Sequence, residues 1–260
     1  MPVTDFQAQV LKLLSVNRSP ESHLAGGMAM NLEPNQTRYS YDIDYFNDTE
    51  AVVAESYAAD SETLIANDYA VKTNFSQPGF ISATVSKGKS TTLIEWSRDS
   101  SWRFLPPVKD DLVGYRLHDI DLAVNKLLAL VGRDEVRDLV DTMAVHENLL
   151  SIGALAWAAA GKDPGYSPDG IISMLNRKRM PSEQDLARLN LAVSIDPTEL
   201  KEQFSKALEE AQEFVSSRPS ADLGCFYWDS KKQEFVDADL DDPAVSPHFG
   251  REFGLLPNAG

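Results

Sequence analysis

The chain has 260 residues, of which 43% are hydrophobic and 25% charged, a composition that allows a packed core and excludes a disordered protein. Its formal net charge of −16 repels nucleic acid on average, because phosphate binding requires lysine and arginine. No apolar run is long enough to span a bilayer, and the N-terminus is typical of an amphipathic helix and not of a signal peptide. The single cysteine, Cys225, excludes an intramolecular disulfide and disfavours a structural zinc site, so we expect a cytoplasmic protein.

The first part of the chain mixes helical and strand periodicities. Helical patterns cover residues 6–14, 28–32 and 51–67, and strand patterns cover residues 22–25, 39–46, 80–85 and 91–96. The last two strands are separated by Ser86-Lys-Gly-Lys, which is typical of a hairpin turn. We therefore predict a small α/β domain over residues 1–116.

The second part is predominantly helical. Helical patterns cover residues 119–130, 135–159, 168–180 and 197–216, and Ser167-Pro168 and Asp196-Pro197 are typical helix starts. We predict a helical domain over residues 117–220. Residues 221–260, rich in aspartate, proline and glycine, are expected to form an irregular tail packed on the body. The fold class predicted is α+β, a small mixed β-sheet domain followed by a helical bundle.

Two acidic residues lie two positions apart in the strand at residues 39–46. Side chains at i and i+2 share one face of a strand, so Asp42 and Asp44 should point together. Neighbouring carboxylates repel each other, and a bound cation removes that cost. Magnesium prefers oxygen ligands and takes one or two carboxylates together with substrate phosphates. Glu95, on a later strand, could be a third ligand of a two-metal site.

A glycine pair precedes this strand. Without β-carbons, Gly26 and Gly27 would let the backbone approach a phosphate closely, and Arg38 and Ser40 could add donors. Each feature alone has a commoner explanation: a lone Asp-x-Asp is usually a pair of surface carboxylates, and a lone Gly-Gly is usually a turn. Their joint occurrence indicates a nucleotide site.

A later helical segment, residues 116–141, carries Lys126 and Arg133 two turns apart on one face. A lysine there could neutralise nucleotide phosphates. The alternative is that the charged residues of this segment form helix-surface ion pairs, such as Arg137 with Asp141, which contribute little to stability.

The segments AGGMAMN (25–31) and RYSYDIDYF (38–46), followed by DIDLAVNKLLALVGRDEVRDLVD (119–141), resemble the AbiEii/AbiGii toxin family of nucleotidyltransferases. The resemblance implies a DNA-polymerase-β-like fold and a toxin or phage-defence enzyme, with an antitoxin as a possible partner. Carried over by position, Asp42 and Asp44 would hold magnesium, Lys126 would contact the triphosphate, and Asp138 would match the later acidic position. Gly26 and Gly27 would form the nucleotide turn. Met28 departs from the family's threonine, and Glu95 from its aspartate.

The function expected is magnesium-dependent transfer of a nucleotide from an NTP to an acceptor hydroxyl of RNA or protein, with two ions bound by Asp42, Asp44 and Glu95. The basic run 177–179 could contact an RNA acceptor, or could place cations at a helix C-terminus. The alternative is a non-catalytic relative that binds a nucleotide or a partner protein. A third interpretation is a structural adaptor that uses its helical half.

Overall fold

A computed structural model describes residues 3–32, 37–237 and 241–257. The chain divides into two compact units. The first comprises the residues up to Ser101 together with Pro106–Leu122, and the second comprises Trp102–Leu105 and the residues from Ala123 onward. The division falls inside a helix, a few residues beyond the boundary at 116 expected from the sequence, because 114–116 form a strand of the first unit's sheet.

The first unit is built on a mixed sheet. Its strands, in chain order, are β1 (Ser22–Ala25), β2 (Asp42–Asn47), β3 (Ala70–Gln77), β4 (Phe80–Lys87), β5 (Ser90–Arg98), β7 (Val108–Asp110) and β8 (Gly114–Arg116). Strand β6 (Trp102–Arg103) lies between β5 and β7 in the chain but belongs to the second unit. Within the described residues the sheet order is β3-β4-β5-β2-β1-β8-β7, with β2 parallel to β5 and β1 antiparallel to β2.

Helices cover one face of this sheet. The helices of the unit are α1 (Asp5–Leu14), α2 (Gly26–Met30) and α3 (Glu50–Ala66). Helix α1 begins at a capping box in which Thr4 accepts from the Gln7 N–H. Side chains at alternate positions of β2 and β5, including Ile43, Tyr45 and Trp96, are buried in the core against α1 and α3.

The second unit is helical with a small sheet. Its elements are α4 (Asp119–Gly132), which begins in the first unit, α5 (Val136–Asn148), α6 (Ile152–Lys162), α7 (Pro168–Leu175), α8 (Glu183–Ala187), α9 (Pro197–Ser216), β9 (Cys225–Asp229), β10 (Glu234–Val236), β11 (Val245–Phe249) and β12 (Arg251–Glu252). Gly161 of α6 packs so closely against Gly224 that a β-carbon on either would meet the other's backbone.

Two expectations for this unit are corrected. The helix expected over 135–159 is two helices, because Ser151 is the N-cap of α6, its side chain accepting from the Ala154 N–H. The tail expected to be irregular contains a three-stranded antiparallel sheet in the order β10-β9-β11. Its strands are held by aromatic contacts such as Trp228 with Phe235, whose ring centroids are 5.1 Å apart. In the described part of the chain, no helix is both long and apolar enough to cross a membrane.

Candidate active site

The predicted acidic residues lie on one face of the sheet. In β2, Asp42 and Asp44 are half-buried, whereas Ile43 and Tyr45 between and beyond them are fully buried. The parallel pairing of β2 with β5 places Asp44 directly opposite Glu95. Residues opposite each other on paired strands point to the same side, so all three carboxylates belong to the face away from α1 and α3. We call this the acidic face.

Behind the acidic face, a buried polar network supports the same two strands. Asp60 of α3 accepts a hydrogen bond from Trp96 Nε1 at 2.7 Å and pairs with Arg18 Nη2 at 2.5 Å. The Arg18 guanidinium lies 3.9 Å from the centre of the Tyr45 ring. Burial raises the pKa of Asp60, and the Arg18 charge opposes that shift. Tyr45 and Trp96 are paired in register and adjoin Asp44 and Glu95 in the chain, so this network fixes the strands that carry the carboxylates.

The glycine turn and the acidic strand are in direct contact. Ala25 pairs with Asp44 across β1 and β2, and Gly26 follows with a φ of 62°, a conformation that favours glycine. A β-carbon at position 26 would overlap the Asp44 carboxylate. The turn predicted to approach a phosphate therefore lies against the second aspartate.

The second glycine lies against the predicted donors. A β-carbon at Gly27 would be 2.6 Å from Arg38 Nη2 and 3.3 Å from Ser40 Oγ. Arg38 and Ser40 are both buried. The Gly27 carbonyl accepts from Asn31 Nδ2 at 2.8 Å. The structure thus brings together five of the predicted residues: Gly26, Gly27, Arg38, Ser40 and Asp44.

A side chain of α1 holds the segment that leads into the acidic strand. The buried amide of Gln7 donates to the carbonyl of Tyr41 at 3.0 Å and to that of Ser40 at 3.3 Å. Thr92 Oγ1 also donates to the Tyr41 carbonyl, at 3.3 Å. Gln7 therefore links the start of α1 to the backbone immediately before Asp42.

Met28, which stands where the family resemblance implies a threonine, has a packing role. The Met28 side chain is fully buried in the hydrophobic core with Leu24 and Ala29. Met28 therefore contributes an apolar side chain to the core beneath the short helix α2.

The donor chemistry of the acidic face fits magnesium in part. Carboxylate oxygens are the ligands that this ion prefers, and Asp44 sits in a recess that a β-carbon at Gly26 would fill. Among residues 3–32, 37–237 and 241–257, however, no group of three or more His, Cys, Asp or Glu side chains is arranged to hold a metal ion. The three-carboxylate set of Asp42, Asp44 and Glu95 stays a prediction, and substrate oxygens would have to complete any coordination shell.

The two remaining candidates lie in the second unit and contact each other. Lys126 Nζ is 2.9 Å from Asp138 Oδ1 and 3.0 Å from Asp141 Oδ2, and all three side chains are buried. Arg133 Nε lies 2.6 Å from Asp138 Oδ2. Burial raises the pKa of Asp138, but the hydrogen bond from Arg133 and the Lys126 charge together lower it by more. The pKa of Asp138 is therefore below its ordinary value. The structure shows a buried ion cluster; contact of Lys126 with a triphosphate stays a prediction.

The basic run at 177–179 takes part in local ion pairs. Lys178 Nζ lies 3.1 Å from Asp134 Oδ1 and donates to the Arg133 carbonyl at 3.0 Å. Arg179 pairs with Asp185 at 2.9 Å. Two of the three charges in this run are therefore neutralised by the same unit.

Sequence reasoning missed the residues that hold the site in place. Gln7 lies more than thirty residues from the segment that it supports, and a helical glutamine carries no local signal of such a contact. Asn31 lies four residues after Gly27, at the C-cap of α2, and an asparagine side chain can bond the carbonyl four residues earlier; that spacing is a local signal that could have identified it.

Comparison with known proteins gives a structural match. No family model matches the sequence, and no curated protein matches it. Among solved structures, the nucleotidyltransferase toxin MenT4 from Mycobacterium tuberculosis aligns over 83% of both chains with a TM-score of 0.59 and 14% identity. JHP933 from Helicobacter pylori aligns over 82% of this chain and 95% of its own, with a TM-score of 0.49 and 13% identity. The match to MenT4, together with the mixed sheet, shows that the chain has a nucleotidyltransferase-like α+β fold.

Proposed function

We propose that the protein is a magnesium-dependent nucleotidyltransferase of the toxin type, which moves a nucleotide from an NTP to an acceptor hydroxyl. One observation carries the proposal: Asp44, paired in register with Glu95, lies against Gly26 at the glycine turn. This contact places the carboxylate that would bind the ion beside the glycine turn that would approach a phosphate. The likeness of the fold to a nucleotidyltransferase toxin supports it.

The residues of the acidic face have separate roles in this reaction. Asp42 and Asp44 would hold the ion, which supplies positive charge to the phosphate oxygens when bound. Gly27, Arg38 and Ser40 would bind the triphosphate, because buried donors next to a glycine can reach its oxygens. The acceptor oxygen forms a bond to the α-phosphorus as the bond to the β-phosphate oxygen breaks and pyrophosphate leaves. Glu95 would accept the proton of the acceptor hydroxyl.

The test is transfer of label from each α-labelled NTP, with magnesium, to the RNA or protein of a cell extract. Wild type should label one class of acceptor. Asp42→Asn and Asp44→Asn preserve side-chain size but remove the charge that the ion needs, so each should lower the rate at least about 100-fold. Glu202→Gln, on the exposed side of α9, is the matched control and should leave the rate unchanged. Equal labelling by wild type and both aspartate variants would refute the proposal.

Toxicity provides a second measurement of the same proposal. Expression of wild type should slow the growth of a bacterial host, and Asp44→Asn at the same expression level should not. Relief of toxicity by the product of a neighbouring gene would identify an antitoxin. Equally slow growth with wild type and with Asp44→Asn would show that toxicity does not depend on the acidic face.

A further inference from the structure

The middle of the first unit has an unusual charge composition. Residues 69–94 contain no aspartate or glutamate, although the whole chain has 40 acidic residues and a net charge of −16. The same stretch carries Lys72, Lys87 and Lys89. These residues form β3, β4 and most of β5, so the edge of the sheet is locally basic in an acidic protein.

Strand β3 forms this edge and is exposed along nearly its whole length. It is the outermost strand of the sheet next to β4, and seven of its eight residues are exposed. Phe75 has 51% of its surface exposed, so its ring is accessible to a ligand. Positive charge beside an accessible aromatic ring is the combination that single-stranded nucleic acid requires of a binding surface.

A β-bulge turns two side chains of β3 toward the acidic face. The register with β4 shifts between Thr73 and Phe75, which leaves Asn74 as the extra residue. Asn74 Nδ2 donates to Thr84 Oγ1 at 2.9 Å, and the Phe75 ring lies 6.0 Å from the ring of Phe80. Bulges often redirect a side chain beside a functional site.

Strand pairing connects this edge to the acidic residues. Phe75 is opposite Ser82, Ser82 is opposite Glu95, and Glu95 is opposite Asp44. The neighbouring row runs in the same way from Lys72 through Thr84 and Leu93 to Asp42. Both rows lie on the acidic face, and three strand spacings separate β3 from β2, about 14 Å.

We propose that this edge of the acidic face, formed by Lys72, Asn74, Phe75, Phe80 and Thr84, binds a single-stranded segment of a nucleic-acid acceptor. We call it the edge surface. Phe75 and Phe80 provide faces on which unpaired bases stack, and Lys72 provides a phosphate contact. Lys87 and Lys89, elsewhere on the hairpin, add positive potential that attracts a polyanion. The acceptor role rests on the proposed function, because the terminal hydroxyl of the bound strand would reach Asp42 and Asp44.

Direct binding tests the edge surface without requiring turnover. Fluorescence anisotropy would be measured with labelled single-stranded RNA and DNA oligonucleotides of mixed sequence, at several salt concentrations. Phe75→Ala should weaken binding about 5- to 150-fold, because one stacked base is lost. Lys72→Ala should weaken binding and reduce the slope of log K against log salt by about 0.7, the value for one phosphate contact to a single strand.

Matched controls separate the edge surface from general effects of charge and exposure. Phe249 of β11 is 47% exposed, and Lys206 of α9 is an exposed lysine paired with Glu210 at 3.5 Å. Phe249→Ala and Lys206→Ala should bind as wild type does. The proposal is overturned if wild type binds no oligonucleotide, or if the edge variants bind as tightly as these controls.

The outcomes also distinguish this inference from the proposed function. Transfer of label to protein by wild type that binds no oligonucleotide would overturn the edge surface and retain nucleotidyl transfer. Binding that depends on Phe75 and Lys72, in a protein that turns over no NTP, would support a nucleic-acid surface and refute the enzyme. Transfer to RNA with a raised KM for the RNA in Phe75→Ala, and an unchanged KM for the NTP, would support both.

Discussion

The Cα atom of Gly26 lies against the carboxylate of Asp44, so that a β-carbon at position 26 would overlap Oδ2 of the aspartate. The contact joins two strands that are antiparallel neighbours, since Ala25 pairs with Asp44. Gly26 also has a φ of 62°. The position of the acidic side chain therefore depends on the absence of a side chain at the turn.

Gly26→Ala should abolish most of the activity. The new methyl group displaces the Asp44 carboxylate, and displacement of a catalytic group by about 1 Å costs on the order of 100-fold in rate. The left-handed conformation adds roughly 1–2 kcal/mol to the cost of folding. NTP turnover and the free energy of unfolding should be measured on the same preparation.

The control for this variant is Gly88→Ala. Gly88 has nearly the same φ, 63°, and its β-carbon would meet no atom within 4 Å. Gly88→Ala should lose only the stability that the left-handed conformation costs and should keep wild-type turnover. If the two variants had equal turnover, the contact between Gly26 and Asp44 would have no role in catalysis.

The alternation of side chains along a strand made the acidic face predictable. Side chains two positions apart on a strand share one face, so Asp42 and Asp44 lie together in any fold that makes this segment a strand. Both are half-buried and alternate with buried neighbours, which agrees with this. The pairing of Glu95 with Asp44 is a matter of register between separate strands. The sequence suggested the residue, and only the sheet order shows that the two are opposite each other.

Contacts between distant segments could not be predicted. Lys126 and Arg133 were expected on one helical face, and both contact Asp138. A single sequence does not reveal whether a buried lysine neutralises a phosphate or a carboxylate, because both chemistries need the same cation. The same holds for Gln7, whose partners are backbone carbonyls without a side-chain signature.

Gln7→Leu should lower turnover more than it affects nucleotide affinity. The variant keeps the side chain's bulk but leaves the carbonyls of Ser40 and Tyr41 without this buried donor, which costs about 1–3 kcal/mol of stability. The backbone before Asp42 would then be less well fixed. We expect kcat to fall by at least about tenfold, measured well below the melting temperature, while the KM for the NTP changes little.

Two controls separate the loss of helix stability from the loss of the contact between Gln7 and the backbone before Asp42. Thr4→Ala removes the capping side chain of α1 and should cost roughly 1 kcal/mol, yet it leaves the Gln7 amide on its carbonyl partners. Gln9→Leu changes an exposed glutamine of the same helix. A fall in kcat in Thr4→Ala equal to that in Gln7→Leu would show that helix stability, and not the contact with Tyr41, sets the rate.

Lys126→Met should destabilise the second unit strongly. It removes the cation between two buried carboxylates, those of Asp138 and Asp141, and loss of one partner of a buried ion pair costs about 3–5 kcal/mol. Arg133→Met is the matched control. Because the Arg133 side chain is 50% exposed, its loss should lower the free energy of unfolding by less than the loss of Lys126. Chemical denaturation measures both. Unchanged stability with lost turnover would instead assign Lys126 to the triphosphate.

The ion cluster also predicts the acid sensitivity of the protein. The pKa of Asp138 is lowered in the folded state by the hydrogen bond from Arg133 and the Lys126 charge, which together exceed the opposing effect of burial. Its contribution to stability is therefore complete above the unfolded pKa of about 3.9. Below that pH the unfolded chain binds the proton first, so the free energy of unfolding falls until the folded pKa is passed.

Asp138→Asn removes this titration. Between pH 5 and pH 2.5, the free energy of unfolding of the variant should fall less steeply than that of wild type, although the variant is less stable at pH 7 because Lys126 has lost one of its two partners. Glu202→Gln, on an exposed helix surface, should give a curve parallel to that of wild type. Parallel curves for wild type and Asp138→Asn would mean that the proton taken up on acid unfolding binds at another carboxylate. The lowered pKa of Asp138 would then not account for the loss of stability in acid.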